Sequence, residues 1–156
     1  NTPLIGIDLG TNKFCAAVFQ KDKIEIIPSD VGEISTPSYV AFSNNEILVG
    51  DTAKNQMHRN AVNTLFSIKR LIGRKFEEPE VQNMLKYFPF KIIKDINSEG
   101  IKVVVEINNE KKELFVEEIL KMELLKIKKD AEKYLGKGIK DIIIGVPNSF
   151  NFFKDN

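Results

Sequence analysis

An acidic residue and a Gly-Thr pair interrupt the first apolar segment of the chain, "IGIDLGTNKFCAAVF", residues 5–19. Asp8 stands within a run of strand-forming residues, and Gly10 and Thr11 follow it closely. Two interpretations fit these residue types and this spacing. One is a tight turn between two antiparallel strands, with Asp8 capping the loop. The other is a phosphate cradle with a carboxylate beside it that holds a cation.

The remaining residues with reactive side chains predict little further chemistry. Cys15 is the single cysteine, so an internal disulfide is excluded, and a small buried hydrophobe in a reducing compartment is the expected role. His58 is predicted to be a surface residue of a helix. No cluster of His, Cys and carboxylate residues has the spacing of a zinc site.

Composition predicts an ordinary globular domain without an extended charged surface. The 156 residues carry 23 Lys and Arg against 22 Asp and Glu, so no overall field favours nucleic acid or an anionic membrane. No apolar stretch reaches the ~20 residues that a membrane span needs, and no secretory leader is visible. We therefore expect a cytoplasmic protein that binds neither nucleic acid nor a membrane; the endoplasmic reticulum lumen or another organelle is the alternative.

The elements that must position these residues follow from hydrophobic periodicity and turn signals. Apolar runs bounded by turn residues predict strands, and capping residues before periodic segments predict helices. The predicted strands are residues 4–9, 14–19, 24–27, 39–42, 47–49, 90–96, 101–107 and 113–115. The predicted short helices are residues 51–57, 64–72 and 78–88.

Residues 116–135 give the strongest helical pattern. An apolar stripe runs along this segment, and Gly136 is in position to end it: Val116, Leu120, Leu124, Ile127, Ala131 and Leu135. Lysines gather in its later turns, where they match the helix dipole and form a solvated face. The following residues 142–146 are apolar without alternation, which predicts a strand covered on both faces.

Four stretches, taken together, resemble the start of the seventy-kilodalton heat-shock chaperones. They occur in that family's order and spacing across nearly the whole chain: "IGIDLGTNKFCAAVFQKDKIEIIPSDVGEISTPSYVAF", "VGDTAKNQ", "NTLFSIKRLIGRKF" and "YLGKGIKDIIIGVP". The resemblance implies the α/β, actin-like and ribonuclease-H-like ATPase fold, here its first lobe only. Residues 1–38 and 115–156 would form an incomplete base subdomain, and residues 39–114 an inserted upper subdomain.

The same resemblance implies a nucleotide site with ATP or ADP and Mg²⁺. Gly10 and Thr11 would belong to the first phosphate loop, because glycine has no Cβ to block backbone N–H groups and threonine adds a hydroxyl. Asp8 would hold waters of the hydrated Mg²⁺. Lys69 would reach the γ-phosphate and the attacking water, where a cation stabilises developing charge. Arg70 would lie toward the base of the nucleotide.

The sequence departs from the family pattern at two places. Asn12 and Lys13 stand where the family has a hydroxyl residue and then Tyr or Asn; asparagine keeps hydrogen-bonding capacity, and Lys13 either pairs with phosphate or points to solvent. Near the end, Pro147 matches a residue that relays nucleotide state between domains in the family. Asp155 replaces the arginine that shares this task, which should weaken the relay.

The family's remaining parts, which are the second phosphate loop, the adenosine-binding segment, the second lobe and the peptide-binding domain, lie outside these residues. The chain is accordingly read as a fragment of a longer protein or as a naturally short relative. In the first case it belongs to an ATP-dependent chaperone for unfolded or hydrophobic polypeptides, assisted by J-domain co-chaperones and nucleotide-exchange factors. The alternatives are a non-catalytic interaction module and, less in keeping with "TPSYVAF" and "KRLIGR", a sugar-kinase relative.

Two expectations concern the isolated chain. It should not hydrolyse ATP at the family's rate, because one lobe cannot enclose the triphosphate or exclude water. It should also self-associate, or carry a partner, through the region around residues 142–153, where an open strand and three phenylalanines leave apolar surface uncovered.

Overall fold

The computed structural model describes residues 3–146 as an arrangement of three β-sheets and three α-helices. The strands are Leu4–Leu9 (β1), Lys13–Gln20 (β2), Lys23–Ile27 (β3), Thr36–Pro37 (β4), Tyr39–Ser43 (β5), Glu46–Val49 (β6), Thr64–Phe66 (β7), Lys91–Lys94 (β8), Ile101–Ile107 (β9), Glu110–Phe115 (β10) and Ile142–Gly145 (β11). The α-helices are Asp51–Asn55 (α1), Pro79–Leu85 (α2) and Val116–Leu135 (α3). Three short 3₁₀ helices cover Met57–Arg59, Ala61–Asn63 and Ile68–Leu71.

The sheet that carries the first motif has the strand order β11-β1-β2-β3, with β4 pairing to β2. β1 and β2 form an antiparallel hairpin in which Asp8 lies opposite Cys15. β11 pairs in parallel with β1, so that Asp8 also lies beside Gly145. A parallel neighbour requires a long crossover, and α3 lies in the chain between β1 and β11. The first three predicted strands are confirmed within one or two residues.

The other two sheets lie in the middle of the chain, with the orders β6-β5-β7 and β10-β9-β8. The amide of Asn63 joins them, because its Nδ2 donates to the carbonyl of Glu106 (2.9 Å) and its Oδ1 accepts the backbone N–H of Glu106 (2.8 Å). Residues from all three sheets share one hydrophobic core. The division into a base and an inserted subdomain stays a prediction.

The helix predicted over residues 64–72 was wrong. Thr64–Phe66 forms β7, which pairs with β5 in antiparallel register with Tyr39 opposite Phe66. Ser67 then adopts a left-handed conformation (φ 56°), and only Ile68–Leu71 turns as a 3₁₀ helix. Sheet pairing has overridden a local helical pattern here, as tertiary contacts often do for short segments.

The strand predicted over residues 101–107 is confirmed, whereas the two remaining short helices were predicted in type but not in extent. Residues 51–57 divide into α1 and a 3₁₀ turn, and α2 is shorter at both ends than the predicted helix over 78–88. His58 is exposed in the 3₁₀ turn, as expected, whereas Cys15 is half-buried rather than buried.

The long helix α3 is confirmed, from Val116 to Leu135 with Gly136 in the left-handed conformation (φ 67°) directly after it. Its buried face includes Val116, Leu120, Ile127 and Ala131, four residues of the predicted stripe. A charged residue, Glu123, lies in the same buried face. Several of the lysines on its outer side pair with acidic neighbours, among them Lys126 with Asp30 and Asp130.

β11 is not covered on both faces, contrary to the pattern of residues 142–146. Ile142, Ile143 and Ile144 are 37%, 60% and 42% exposed, and within residues 3–146 β11 pairs with β1 alone. The uncovered strand expected for the isolated chain is therefore present. The expectations for Pro147, Phe150, Phe152, Phe153 and Asp155 concern residues outside the described range.

Candidate phosphate-binding site

The β1–β2 loop, residues 10–12, has a geometry that requires glycine at its first position. A Cβ on Gly10 would come within 2.8 Å of the carbonyl oxygen of Lys13, which is closer than real Cβ contacts allow. Further along the loop, the Asn12 carbonyl accepts a hydrogen bond from the backbone N–H of Ser38 (2.9 Å). The loop is thus held tightly on its inner side, while Asn12 and Lys13 are exposed and Thr11 is half-buried.

Asp8 lies near the turn of this hairpin, two residues before Gly10, and is exposed to solvent. The neighbouring Gly145 has no side chain, and a Cβ added at that position would lie 4.0 Å from Oδ1 of Asp8. An exposed carboxylate keeps room for water around it. Such a group suits a cation that retains its hydration shell, as Mg²⁺ commonly does.

Lys69 reaches the interior because of the turn that precedes it. The left-handed Ser67 directly follows β7 and precedes the 3₁₀ helix Ile68–Leu71. Within this helix Ile68, Lys69 and Leu71 are buried, whereas Arg70 is exposed. Adjacent residues of the predicted site therefore differ in environment: Lys69 is only 2% exposed, and Arg70 lies at the surface.

The ammonium of Lys69 has charged and aromatic neighbours. Its Nζ lies 3.9 Å from Oε2 of Glu123 and 5.9 Å from the centroid of the Phe14 ring. Burial lowers the pKa of Lys69, and the negative charges of Glu123 and Asp8 oppose that shift. Asp8 and Lys69, the two predicted catalytic groups, therefore interact electrostatically.

Glu123 is the residue of this site that the sequence analysis missed. It is 2% exposed, and burial raises its pKa to about 7, although the charge of Lys69 acts in the opposite direction. A signal was available in the sequence, because position 123 follows Val116 by seven residues and precedes Ile127 by four. A carboxylate on the apolar stripe of an amphipathic helix is unusual.

Neither charged group completes a hydrogen bond within residues 3–146. Nζ of Lys69 and Oε2 of Glu123 both lack a partner there, and their separation of 3.9 Å exceeds hydrogen-bonding range. Buried ammonium groups usually have such partners. A buried cation with unused donors near a glycine-containing loop is suited to receive an anion.

A cavity of about 130 Å³ adjoins the loop. Asn12, Lys13, Ser38 and Ser67 contribute to its lining. It is smaller than the roughly 300 Å³ at which ligand clefts typically begin. A larger groove of about 750 Å³ lies elsewhere, between the turns at residues 43–46 and 106–109, and contains none of the predicted site residues.

The described range offers neither a preformed metal site nor a membrane-spanning helix. Residues 3–146 contain no group of three or more His, Cys, Asp or Glu side chains that is arranged to hold a metal ion. No helix in the same range has the length and apolarity to cross a membrane. A Mg²⁺ ion at Asp8 would therefore depend on water and on the ligand's own oxygen atoms for most of its coordination.

The mixed sheets and few helices are consistent with an α/β protein of the actin-like ATPase class, represented by its first lobe. A family model described as "Hsp70 protein" matches residues 4–155. The chain therefore belongs to the Hsp70 family, and its residues correspond to part of that family's nucleotide-binding domain.

Individual relatives are similar over almost the whole chain. "Heat shock 70 kDa protein 2" of Paracoccidioides lutzii is 49% identical over 149 residues, which are 96% of this chain and 22% of that protein. "Heat shock cognate 70 kDa protein 3" of Dictyostelium discoideum is 48% identical, covering 94% of the chain and 23% of the relative. "Putative heat shock 70 kDa protein 7" of Homo sapiens is 47% identical, covering 94% of the chain and 40% of the relative. The chain thus spans between about a fifth and two fifths of these relatives.

Proposed function

We propose that this chain forms one wall of a site for ATP or ADP with Mg²⁺ in an Hsp70-type chaperone. The observation that carries the proposal is the buried ammonium of Lys69, whose Nζ makes no hydrogen bond within residues 3–146 and on which the charge of Asp8 acts. The glycine-dependent loop at Gly10 and the exposed carboxylate of Asp8 support it. These residues fit a hydrated cation and a phosphate chain.

Each residue has a distinct task in this proposal. The loop N–H groups and the Thr11 hydroxyl bind phosphate oxygens, and Asp8 orients waters of the metal shell. Lys69 places positive charge where negative charge accumulates during phosphoryl transfer. Arg70, at the surface, is available to the base of the nucleotide, and Lys13 to a phosphate. When bound, the metal ion neutralises phosphate charge.

The wider activity proposed for the whole protein follows from the family. Hsp70 proteins as a family bind unfolded polypeptides and act with co-chaperones. We propose the same for the protein to which this chain belongs, with J-domain co-chaperones and nucleotide-exchange factors as partners and Pro147 as part of the interdomain relay. The cytoplasm is the proposed compartment, in keeping with the free thiol of Cys15.

One observation favours a second function, that of a non-catalytic interaction module. Phe19, Ile24, Ile26 and Ile143 are exposed on one face of the first sheet, where they form an apolar surface suited to a protein partner. The two functions differ in their dependence on nucleotide. An interaction module binds its partner equally with and without ATP, whereas a nucleotide site changes partner affinity when it is loaded.

Equilibrium binding of Mg·ATP to the chain and to a Lys69→Met variant tests the nucleotide site. Methionine keeps the length of the side chain and removes its charge, so the loss of a buried charge-assisted contact should weaken binding at least tenfold. Lys137→Ala, at an exposed position after α3, is the matched control and should bind like the unmodified chain. Equal affinities of the unmodified chain and Lys69→Met would contradict the proposal.

A further inference from the structure

The Lys69–Glu123 pair has an arrangement that a purely structural ion pair does not need. Both side chains are nearly inaccessible, at 2% and 3% exposure, yet Nζ and Oε2 are 3.9 Å apart and make no hydrogen bond within residues 3–146. Buried ion pairs stabilise a fold only when short hydrogen bonds compensate for the loss of water. The two charges therefore attract each other, while Nζ of Lys69 and Oε2 of Glu123 remain able to form further hydrogen bonds.

The charges that act on this pair come from three elements of the fold. Glu123 lies on α3, Lys69 on the 3₁₀ helix Ile68–Leu71, and Asp8 at the end of β1. Glu123 experiences the charge of Lys69, and Lys69 experiences the charges of Glu123 and Asp8. The ring of Phe14, on β2, is the neutral neighbour of the ammonium.

We propose that Glu123 is a positioning residue for Lys69, holding its ammonium beneath the β1–β2 loop and taking up a proton when phosphate oxygens become the partners of Lys69. The inference rests on the nucleotide site proposed above. It concerns only the buried carboxylate of this chain, which does not contact the nucleotide itself.

The proton uptake follows from the environment of the carboxylate. Burial already raises the pKa of Glu123 to about 7, so the protonated and ionised forms are both populated near neutral pH. A phosphate chain at Lys69 brings further negative charge, and Lys69 then shares its positive charge with that chain. Both changes disfavour the ionised carboxylate. One proton passes from a buffer acid or hydronium ion to a carboxylate oxygen of Glu123: the O–H bond forms as the donor's bond to hydrogen breaks, and the conjugate base or water is left in solution.

The carboxyl carbon of Glu123 reports this event directly. In a chain labelled with ¹³C-glutamate, its NMR shift is followed against pH with and without Mg·ATP, while the amide signals of residues 10–13 report binding separately. We expect the midpoint of Glu123 to rise by about one pH unit or more on binding, a tenfold change in its proton affinity. Loop amides that respond while the Glu123 midpoint stays in place would overturn this inference and leave the nucleotide site intact. Loop amides that do not respond would overturn both.

A matched pair of variants separates positioning from simple structural support. Glu123→Gln keeps the shape of the side chain but cannot titrate, whereas Glu117→Gln changes an exposed carboxylate on the same helix. Because binding is linked to proton uptake, the Kd for Mg·ATP should increase from pH 6 to pH 8. This increase should be several-fold larger in the unmodified chain and in Glu117→Gln than in Glu123→Gln. ATP itself titrates in the same way in all three measurements, so its contribution cancels when the proteins are compared. Equal pH profiles for all three proteins would contradict the proposal, whatever the stability of the variants.

Discussion

At the scale of single residues, the molecule places a lysine and a glutamate in its interior where apolar groups would be expected. Desolvation pushes the pKa of Lys69 downward and that of Glu123 upward, so burial disfavours the charged form of each. A fold that retains such a pair without hydrogen bonds between its members bears a cost in stability. We attribute this cost to the function proposed for Lys69.

The free energy of unfolding of the chain should depend on pH through the titration of Glu123. Its pKa is about 7 in the folded state against 4.5 ordinarily, so between these values the folded state binds more protons than the unfolded state. The free energy of unfolding should therefore decrease as pH rises from about 4.5 to about 7, by up to roughly 3 kcal/mol, and this contribution should level off above that. Urea denaturation at a series of pH values measures it.

The Glu123→Gln variant isolates this contribution, because its side chain does not titrate. As pH rises across that window, the free energy of unfolding of the unmodified chain should decrease relative to that of Glu123→Gln. Glu117→Gln should follow the unmodified chain. A difference that stays constant from pH 4.5 to 7 would show that Glu123 keeps its ordinary pKa.

Residue-level chemistry was predictable from the sequence only where the residue types were distinctive. Asp8, Gly10 and Lys69 could be proposed from motifs, and the structure adds that Lys69 is buried and that Gly10 is required by the loop's own backbone. The pairing of Lys69 with Glu123 was not predictable, since the two residues lie 54 positions apart in sequence and meet only through tertiary packing. The left-handed Ser67 that turns Lys69 inward has no sequence signal of its own.

At the scale of elements, α3 joins the site to the sheet and is the element most fully specified by local sequence. The Phe115 backbone N–H donates to the carboxylate of Glu118 (2.8 Å) at its start, and the left-handed Gly136 ends it. Between them, one face packs against the core and contributes Glu123 to the site. The helix was predictable because periodicity, first-turn acids and the terminal glycine all indicate the same bounds.

Gly136→Ala should destabilise the chain by about 1 kcal/mol, because alanine is strained at a positive φ that glycine adopts freely. A Cβ at this position meets no atom within 4 Å, so the expected loss arises from the backbone rather than from a clash. Thermal unfolding monitored by circular dichroism measures it. Gly138→Ala, two residues further on and without a positive φ, is the control and should change stability little. Equal stabilities for the two variants would mean that the helix end does not depend on glycine.

The segment of residues 64–72 shows where element prediction failed and why. Its spacing of apolar residues suits a helix, but Tyr39 and Val40 of β5 offer sheet partners to Phe66 and Leu65. Side-chain packing adds to this choice, since the ring of Phe66 stacks on Tyr39 with centroids 5.5 Å apart. Nine residues with ambiguous periodicity cannot reveal such partners in advance.

At the scale of the whole molecule, the first sheet is covered on one face and, as far as residues 3–146 are concerned, open on the other. Register places Phe19 beside Ile24 and Gly6 beside Ile143, so the exposed side chains of Phe19, Ile24, Ile26 and Ile143 share one face. The exposed edge of β11 continues this surface. The sequence indicated the apolar residues of this sheet, but only the strand order shows that they form one continuous open face.

We predict that the isolated chain self-associates through this open face. Ile24→Lys combined with Ile143→Lys places charges on two of its strands and should shift the chain toward monomer, measured by sedimentation velocity at about 100 μM, where contacts with Kd values from ~1 μM to ~1 mM are detectable. Ile96→Lys, in the exposed turn between β8 and β9, is the control and should leave the association unchanged. An unmodified chain that is monomeric at this concentration would contradict the prediction.

The central claim, that Asp8, the β1–β2 loop and Lys69 together hold a metal–nucleotide complex, is tested most directly by replacing Mg²⁺ with paramagnetic Mn²⁺. In an NMR spectrum of the chain with Mn·ATP, signals near the metal broaden strongly while distant ones persist. We predict broadening of Asp8, of residues 10–13 and of the side-chain signals of Lys69, and much weaker broadening in the Lys69→Met variant. Signals at the groove between residues 43–46 and 106–109 should remain sharp. Broadening centred on that groove, or none at the β1–β2 loop at saturating Mn·ATP, would contradict the account.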